Sequence, residues 1–145
     1  MEPIRLKILC EGACVPTYGS DEAAGADLYA CLSEPVSIEP GDSAWIPTGI
    51  AMELPKGYAG LVYARSSMGV KRGLAPANKV GVIDSDYRGE IRVVLHNHGK
   101  TMQQIQPGER IAQLLITPVY TPGFVTVDAL SDTQRANGGF GSTGK

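Results

Sequence analysis

Apolar and polar residues alternate with a period of two through most of this chain, in short runs cut by glycine or proline about every ten residues. In IRLKIL (4–9), Ile4, Leu6 and Ile8 share one face while Arg5 and Lys7 share the other. In GIAMELP (49–55), Ile50, Met52 and Leu54 alternate with Ala51 and Glu53, and in GEIRVVLHN (89–97) Ile91, Val93 and Leu95 point one way. VSIEPGDSAWIPTG (36–49), PKGYAGLVYA (55–64) and GERIAQLLITPVY (108–120) add further strands separated by turns. No window of about a dozen residues keeps an apolar period of 3.6. The best helical stretch is one turn at Ser66–Lys71, where Ser66 is expected to cap the start. Short strands at regular spacing predict an all-β sandwich or barrel over residues 1–130, with a linker-like C-terminal arm from 131 to 145.

Composition narrows the partners. The 145 residues suit one domain with its own core. A net charge of −2 argues against nucleic acid or an acidic membrane as the main partner, while a small anion needs only a local cluster of arginines. No apolar run is long enough to span a bilayer, and MEPIRLK does not open a signal peptide, so a cytoplasmic location is expected. Cys10, Cys14 and Cys31 form an odd set without regular spacing, which predicts reduced thiols rather than a disulfide framework. They lack zinc-site spacing, and His96 and His98 read as surface residues at a strand end.

Four stretches break the strand grammar. AGADLYA (24–30) sets Asp27 among small residues. ARSSMGV (64–70) brings Arg65 and two hydroxyls to a helical turn, a geometry that offers donors to an anion and is equally that of a capped surface turn. NKVGVIDSDYRGEI (78–91) reads as a β-hairpin: a strand to Ile83, a turn around Asp84–Arg88, and a strand from Glu90. Asp84 follows a buried run and so places a carboxylate at a pocket edge, where a general base is useful. The tail GFGSTGK (139–145) matches part of a P-loop pattern, yet SDTQRAN before it is no buried strand and no helix follows Lys145. What the tail does hold is a ring, Phe140, beside Arg135, Ser142 and Thr143: a face to stack and donors for phosphate.

Together these stretches resemble one family, the trimeric deoxyuridine triphosphate pyrophosphatases (dUTPases). Its motifs appear in order as AGADLYA (24–30), ARSSMGV (64–70), NKVGVIDSDYRGE (78–90), GERIAQLLI (108–116) and RANGGFGSTG (135–144). The resemblance implies a jelly-roll-like β fold (a β-clip), a homotrimer with three shared active sites, and a C-terminal arm that closes each site. It implies hydrolysis of dUTP to dUMP and pyrophosphate with Mg2+ on the triphosphate, which limits uracil in DNA and supplies dUMP for thymidylate synthesis. Neither nucleic acid nor membrane is an expected partner.

The resemblance also assigns roles. Asp84 would orient and deprotonate the water that attacks the α-phosphorus, with positioning mattering more than basicity. Tyr87 would pack on the deoxyribose and exclude a 2′-hydroxyl. Asn78 and the backbone of Val82 and Ile83 would read the uracil edge. Arg65, Ser66, Ser67 and Gln113 match phosphate-contacting positions. In the arm, Phe140 would stack on uracil, while Arg135, Gly141, Ser142 and Thr143 meet the substrate's far end. No direct protein ligand to the metal is expected; Asp27 would reach it through water only. Ser67 and the pair Ala136–Asn137 depart from the usual family pattern, and Arg110 reads as structural or intersubunit. A dCTP deaminase-type relative shares the fold but needs a glutamate placed at the pyrimidine 4-position, which nothing here matches. A non-catalytic nucleotide-binding protein of the same fold would have shed Asp84, Arg135 or Phe140, and all are present.

Overall fold

The computed structural model describes residues 3–139. Among them are twelve strands: β1 (Arg5–Ile8), β2 (Thr17–Tyr18), β3 (Ala26–Tyr29), β4 (Val36–Ile38), β5 (Ser43–Pro47), β6 (Ile50–Glu53), β7 (Tyr58–Tyr63), β8 (Leu74–Pro76), β9 (Gly81–Ile83), β10 (Arg92–Asn97), β11 (Gln103–Ile105) and β12 (Arg110–Pro118). They pair antiparallel in four small sheets, ordered β2-β3-β12-β7-β9, β5-β10-β8, β1-β6 and β4-β11. The inner faces of these sheets share one core that includes Leu28, Ile46, Ile50, Leu74, Leu95 and Ile111, all essentially inaccessible to solvent. The architecture is the all-β, sandwich-like fold that the alternation predicts.

Alternation reports the faces well where one side meets water. Ile91, Val93 and Leu95 are buried while Arg92 is exposed. Ala51, on the supposed outer face of β6, is buried as well, because β6 is covered on both sides and alanine fits there. Ile8 goes the other way: it is 47% exposed at the end of β1. One buried polar residue organises the far end of the fold. Asn97 donates from Nδ2 to the Ile38 and Thr101 carbonyls and accepts from Gly99 N–H, so it ties three segments without leaving a polar atom unmet.

Three local expectations are corrected. The stretch 78–91 is not a paired hairpin, for β9 pairs with β7 and the next strand, β10, pairs with β5 and β8. The turn closed by Tyr87 N–H on the Asp84 carbonyl, at 3.2 Å, carries the chain from one sheet to another. The helical turn is a single π-helical turn, Ser67–Lys71, and Ser66 makes no side-chain capping bond. The cysteines are not independent of one another: the Cys10 and Cys31 sulfurs meet, while Cys14 stands apart and exposed. Their 21-residue separation gave no local sign of it; β1 and β3 bring both sulfurs over Gly49, where a side chain would collide with them.

Candidate active site

Because β9 is the last strand of its sheet, β7 occupies one edge and the other is left without a strand partner. Amides and carbonyls on that open edge therefore face a space rather than a neighbour. The space is a cavity of 540 Å3 between β9 and β10. Asn78, Gly81, Val82, Ile83, Asp84 and Tyr87 line one side; Trp45 and the segment Glu90–Val94 line the other. Asn78 is set at the rim by a tight turn in which Lys79 adopts φ 68°, Lys79 N–H bonds the Pro76 carbonyl, and Val80 N–H bonds the Asn78 carbonyl. A lysine in the left-handed region costs on the order of 1 kcal/mol, a sign that the turn is held by its surroundings.

Asp84 continues directly from β9, so its carboxylate emerges at the end of the open edge. It is exposed, and it also borders a wider groove of 1080 Å3 formed with Arg5, Glu53, Lys56 and Arg88. In that groove the Arg5 guanidinium hydrogen-bonds Glu53 and lowers its carboxyl pKa below the usual range. Desolvation partly offsets this, and weaker attraction from Arg5 and Arg88 adds to it.

A second cluster lies on the central strand of the five-stranded sheet. Gln113 of β12 faces Asp27 of β3 on one side and Tyr63 of β7 on the other, so their side chains project from the same face. Arg65, two residues beyond Tyr63, joins them. Its Nε donates to Asp27 Oδ1 at 2.6 Å, its Nη1 to Ser67 Oγ at 3.2 Å, and Arg110 Nη1 reaches Asp27 Oδ2 at 3.2 Å. Gln113 Nε2 donates to the Ala64 carbonyl at 2.9 Å, and Gly25 gives its side chain room. Asp27 is buried and pairs with two guanidinium groups, Arg65 mostly covered and Arg110 half exposed, so the cluster carries a net positive charge at the surface. Ser66 stands exposed beside Arg65.

The sequence-predicted residues thus fall into two groups. Asn78, Val82, Ile83, Asp84 and Tyr87 share the cavity; Asp27, Arg65, Ser67 and Gln113 share the charged cluster. Within one chain the groups stand at opposite ends of the β7–β9 ladder. Ile83 is opposite Gly60, so Asp84 lies beside Ala59 while Arg65 lies beyond the other end of β7. At ~3.3 Å per residue this puts them roughly 15–20 Å apart. Arg135 lies in the exposed tail, its Nε bonded to the Gly138 carbonyl. Phe140, Gly141, Ser142 and Thr143 lie outside the described residues. Sequence reasoning missed the Asp27–Arg110 contact and the close approach of the Tyr87 ring to Gly89; a glycine two residues from an exposed aromatic was the available signal for the latter.

No group of three or more His, Cys, Asp or Glu side chains converges to hold a metal among the described residues. This donor set suits a cation that keeps its waters and binds mainly through phosphate oxygens, as Mg2+ does. Each Asp27 oxygen spends one acceptor position on a guanidinium and retains a further lone pair. No helix among the described residues is long and apolar enough to cross a membrane.

The family model described as dUTPase matches residues 11–144. A deoxyuridine 5′-triphosphate nucleotidohydrolase of Syntrophotalea carbinolica is 45% identical over 141 residues, covering 97% of this chain and 96% of the relative. One from Hahella chejuensis is 49% identical over 131 residues, covering 90% and 86%. Among solved structures, the dUTPase of Staphylococcus bacteriophage 80alpha with dUpNHpp superposes with a TM-score of 0.92 at 29% identity, over 100% of both chains. A variant of the dUTPase from phage phi11 of S. aureus, described with a coordinated structural Mg(II) ion, gives 0.82 at 26% identity, over 90% of this chain and 100% of that one.

Proposed function

The chain belongs to the dUTPase family, and on that premise we propose how its residues divide the work of hydrolysing dUTP to dUMP and pyrophosphate. The observation that carries the assignment is the open edge of β9 ending in Asp84, within one cavity. An extended edge presents alternating donors and acceptors, and uracil presents the complementary set along its own edge. Cytosine reverses two of these groups, at N3 and at the 4-position, and leaves buried partners unmet, which is where large discrimination comes from. Asn78 completes the reading from the rim, and the Tyr87 ring forms the sugar wall.

With the base so held, the α-phosphorus comes to the mouth of the cavity beside Asp84. The carboxylate accepts a hydrogen bond from a water and aligns it opposite the leaving oxygen. As the water oxygen bonds to phosphorus, its proton passes to Asp84 and the P–O bond to the β-phosphate breaks, releasing pyrophosphate. Bound Mg2+ supplies charge neutralisation on the triphosphate. Asp27, which holds the Arg65 guanidinium by a 2.6 Å hydrogen bond, would hold that cation through a water rather than directly. Arg65, Ser66, Ser67 and Gln113 contact the phosphate chain.

The span between Asp84 and Arg65 in one chain exceeds what a single nucleotide's α-phosphate region bridges. Each site therefore combines the β9 cavity of one subunit with the Arg65 cluster of another, in a closed homotrimer. The arm from 131 to 145 covers the site, with Phe140 over the base and Arg135, Gly141, Ser142 and Thr143 on the rest of the nucleotide. The enzyme acts on free nucleotide in the cytoplasm, with neither nucleic acid nor membrane as partner.

The test is pyrophosphate release from dUTP, dCTP, dTTP and UTP side by side with Mg2+, in the parent chain and in Asp84→Asn. The parent should use dUTP alone. Asp84→Asn should still bind nucleotide, read from the emission of Trp45, the sole tryptophan and a cavity residue, while turnover falls by about 10²–10⁴. Near-normal turnover in that variant would remove Asp84 from the chemistry.

A further inference from the structure

Tyr87 is half exposed, yet its ring is held in one place, and the residue that sets that place is Gly89. A Cβ built on Gly89 would lie 2.6 Å from Tyr87 Cζ and 3.0 Å from Cε2, and closer still to Oη. Gly89 is not among the glycines in the left-handed region, so what it supplies is room rather than backbone freedom. The ring leans into that room, and Oη donates to the Glu90 carbonyl at 3.0 Å. The acceptor is itself fixed, because the N–H of the same peptide group, Ile91 N–H, bonds the Ile50 carbonyl at 2.9 Å in the neighbouring sheet. Glu90 Oε1 accepts from Gly49 N–H at 3.0 Å, a second anchor for the same residue.

We infer that Gly89 is a specificity-determining residue: it sets the depth of the Tyr87 ring and so the clearance beneath the sugar. This rests on Tyr87 being the sugar wall. With alanine at 89, the Tyr87 side chain is the part that yields, since it is the half-exposed end of a flexible group whereas the backbone beneath is bonded into β6 and the Thr48–Gly49 turn. The ring swings outward, its Oη loses the Glu90 carbonyl, and a ribose 2′-hydroxyl finds space and water where it met carbon. Asp84 hangs from the other end of the turn, so its aim at the attacking water is disturbed less than the sugar contact.

The experiment compares kcat/KM for dUTP and UTP in the parent, Gly89→Ala, Tyr87→Ala and the double variant. Expected is a fall of about tenfold or more in the dUTP/UTP ratio for Gly89→Ala, with ~10² as the ceiling for rejecting one added hydroxyl sterically. Tyr87→Ala should lose the ratio as well, and the double variant should be no worse than Tyr87→Ala, because both changes remove the same contact. A Gly89→Ala enzyme that keeps its ratio while Tyr87→Ala loses it would overturn the inference and leave the sugar-wall assignment standing. Retention of the ratio by Tyr87→Ala would instead overturn that assignment. If Gly89→Ala lowers the melting temperature, adding Tyr87→Ala should restore it; failure to restore it would show that Gly89 serves the backbone and not the ring.

Discussion

Removing the Asp27 carboxylate should cost stability before it costs anything else. Asp27 is buried and accepts from Arg65 Nε and Arg110 Nη1, at 2.6 and 3.2 Å. Arg65 is itself mostly covered, with 22% of its side chain exposed, whereas Arg110 is 52% exposed and half released to solvent. Breaking a buried pair by deleting one partner costs about 3–5 kcal/mol, because a covered charge is left behind. The exposed Arg110 contributes little of that, roughly 0–1 kcal/mol. For Asp27→Ala the buried-pair penalty is reduced to ~2–3 kcal/mol, since Arg65 retains Ser67 and some access to water. At ~2.1 cal/mol/K per residue the melting entropy is ~0.3 kcal/mol/K, so the melting temperature should drop by ~7–10 °C. Thermal unfolding by circular dichroism, with Asp27→Asn as a milder control that keeps one acceptor oxygen, reads this directly. Pyrophosphate release should decline too, as Arg65 loses its aim. An Asp27→Ala protein melting within ~2 °C of the parent would refute the reasoning that the carboxylate organises the charged cluster.

Deletion from Arg135 onward should cripple pyrophosphate release and leave the β fold intact, because the last strand ends at Pro118 and residues 121–137 are exposed; full activity in the truncated chain would reduce the arm to a linker. Glu53 should contribute a small acid-sensitive stability. Its folded pKa is depressed by Arg5, so the contribution is present above the unfolded carboxylate pKa and disappears as pH falls through the folded one. Urea midpoints of the parent and Glu53→Gln should therefore differ slightly at neutral pH and converge in acid; a gap that widens in acid would contradict the sign.

Strand faces were legible wherever one side of a strand meets water, as Ile91, Val93 and Leu95 illustrate, since period two is set by the pleat itself. The misreadings share a different cause. A strand, a short acidic turn and another strand look like a hairpin, but nothing local tells that β9 and β10 join different sheets. That misreading touches the candidate site most, for the cavity exists because those two strands part. Ser66 had capping chemistry, yet Arg65 takes the neighbouring hydroxyl of Ser67 and no cap forms at Ser66. The Cys10–Cys31 and Asp27–Arg110 contacts span long stretches of chain and depend on the whole fold. The candidate residues themselves were picked out by the order of the family motifs. Strand alternation alone would have singled out neither Gln113 nor Asn78.

The central claim is that each site takes its base-and-water half from one subunit and its phosphate half from another. Co-expressing Asp84→Asn and Arg65→Ala chains with different tags, and assaying purified mixed oligomers, tests it most directly. Each homo-oligomer should be nearly inactive, and in each mixed trimer about one site in three should regain both intact halves, with activity to match. Mixed oligomers no more active than the two parents would place both halves in a single chain and contradict the account.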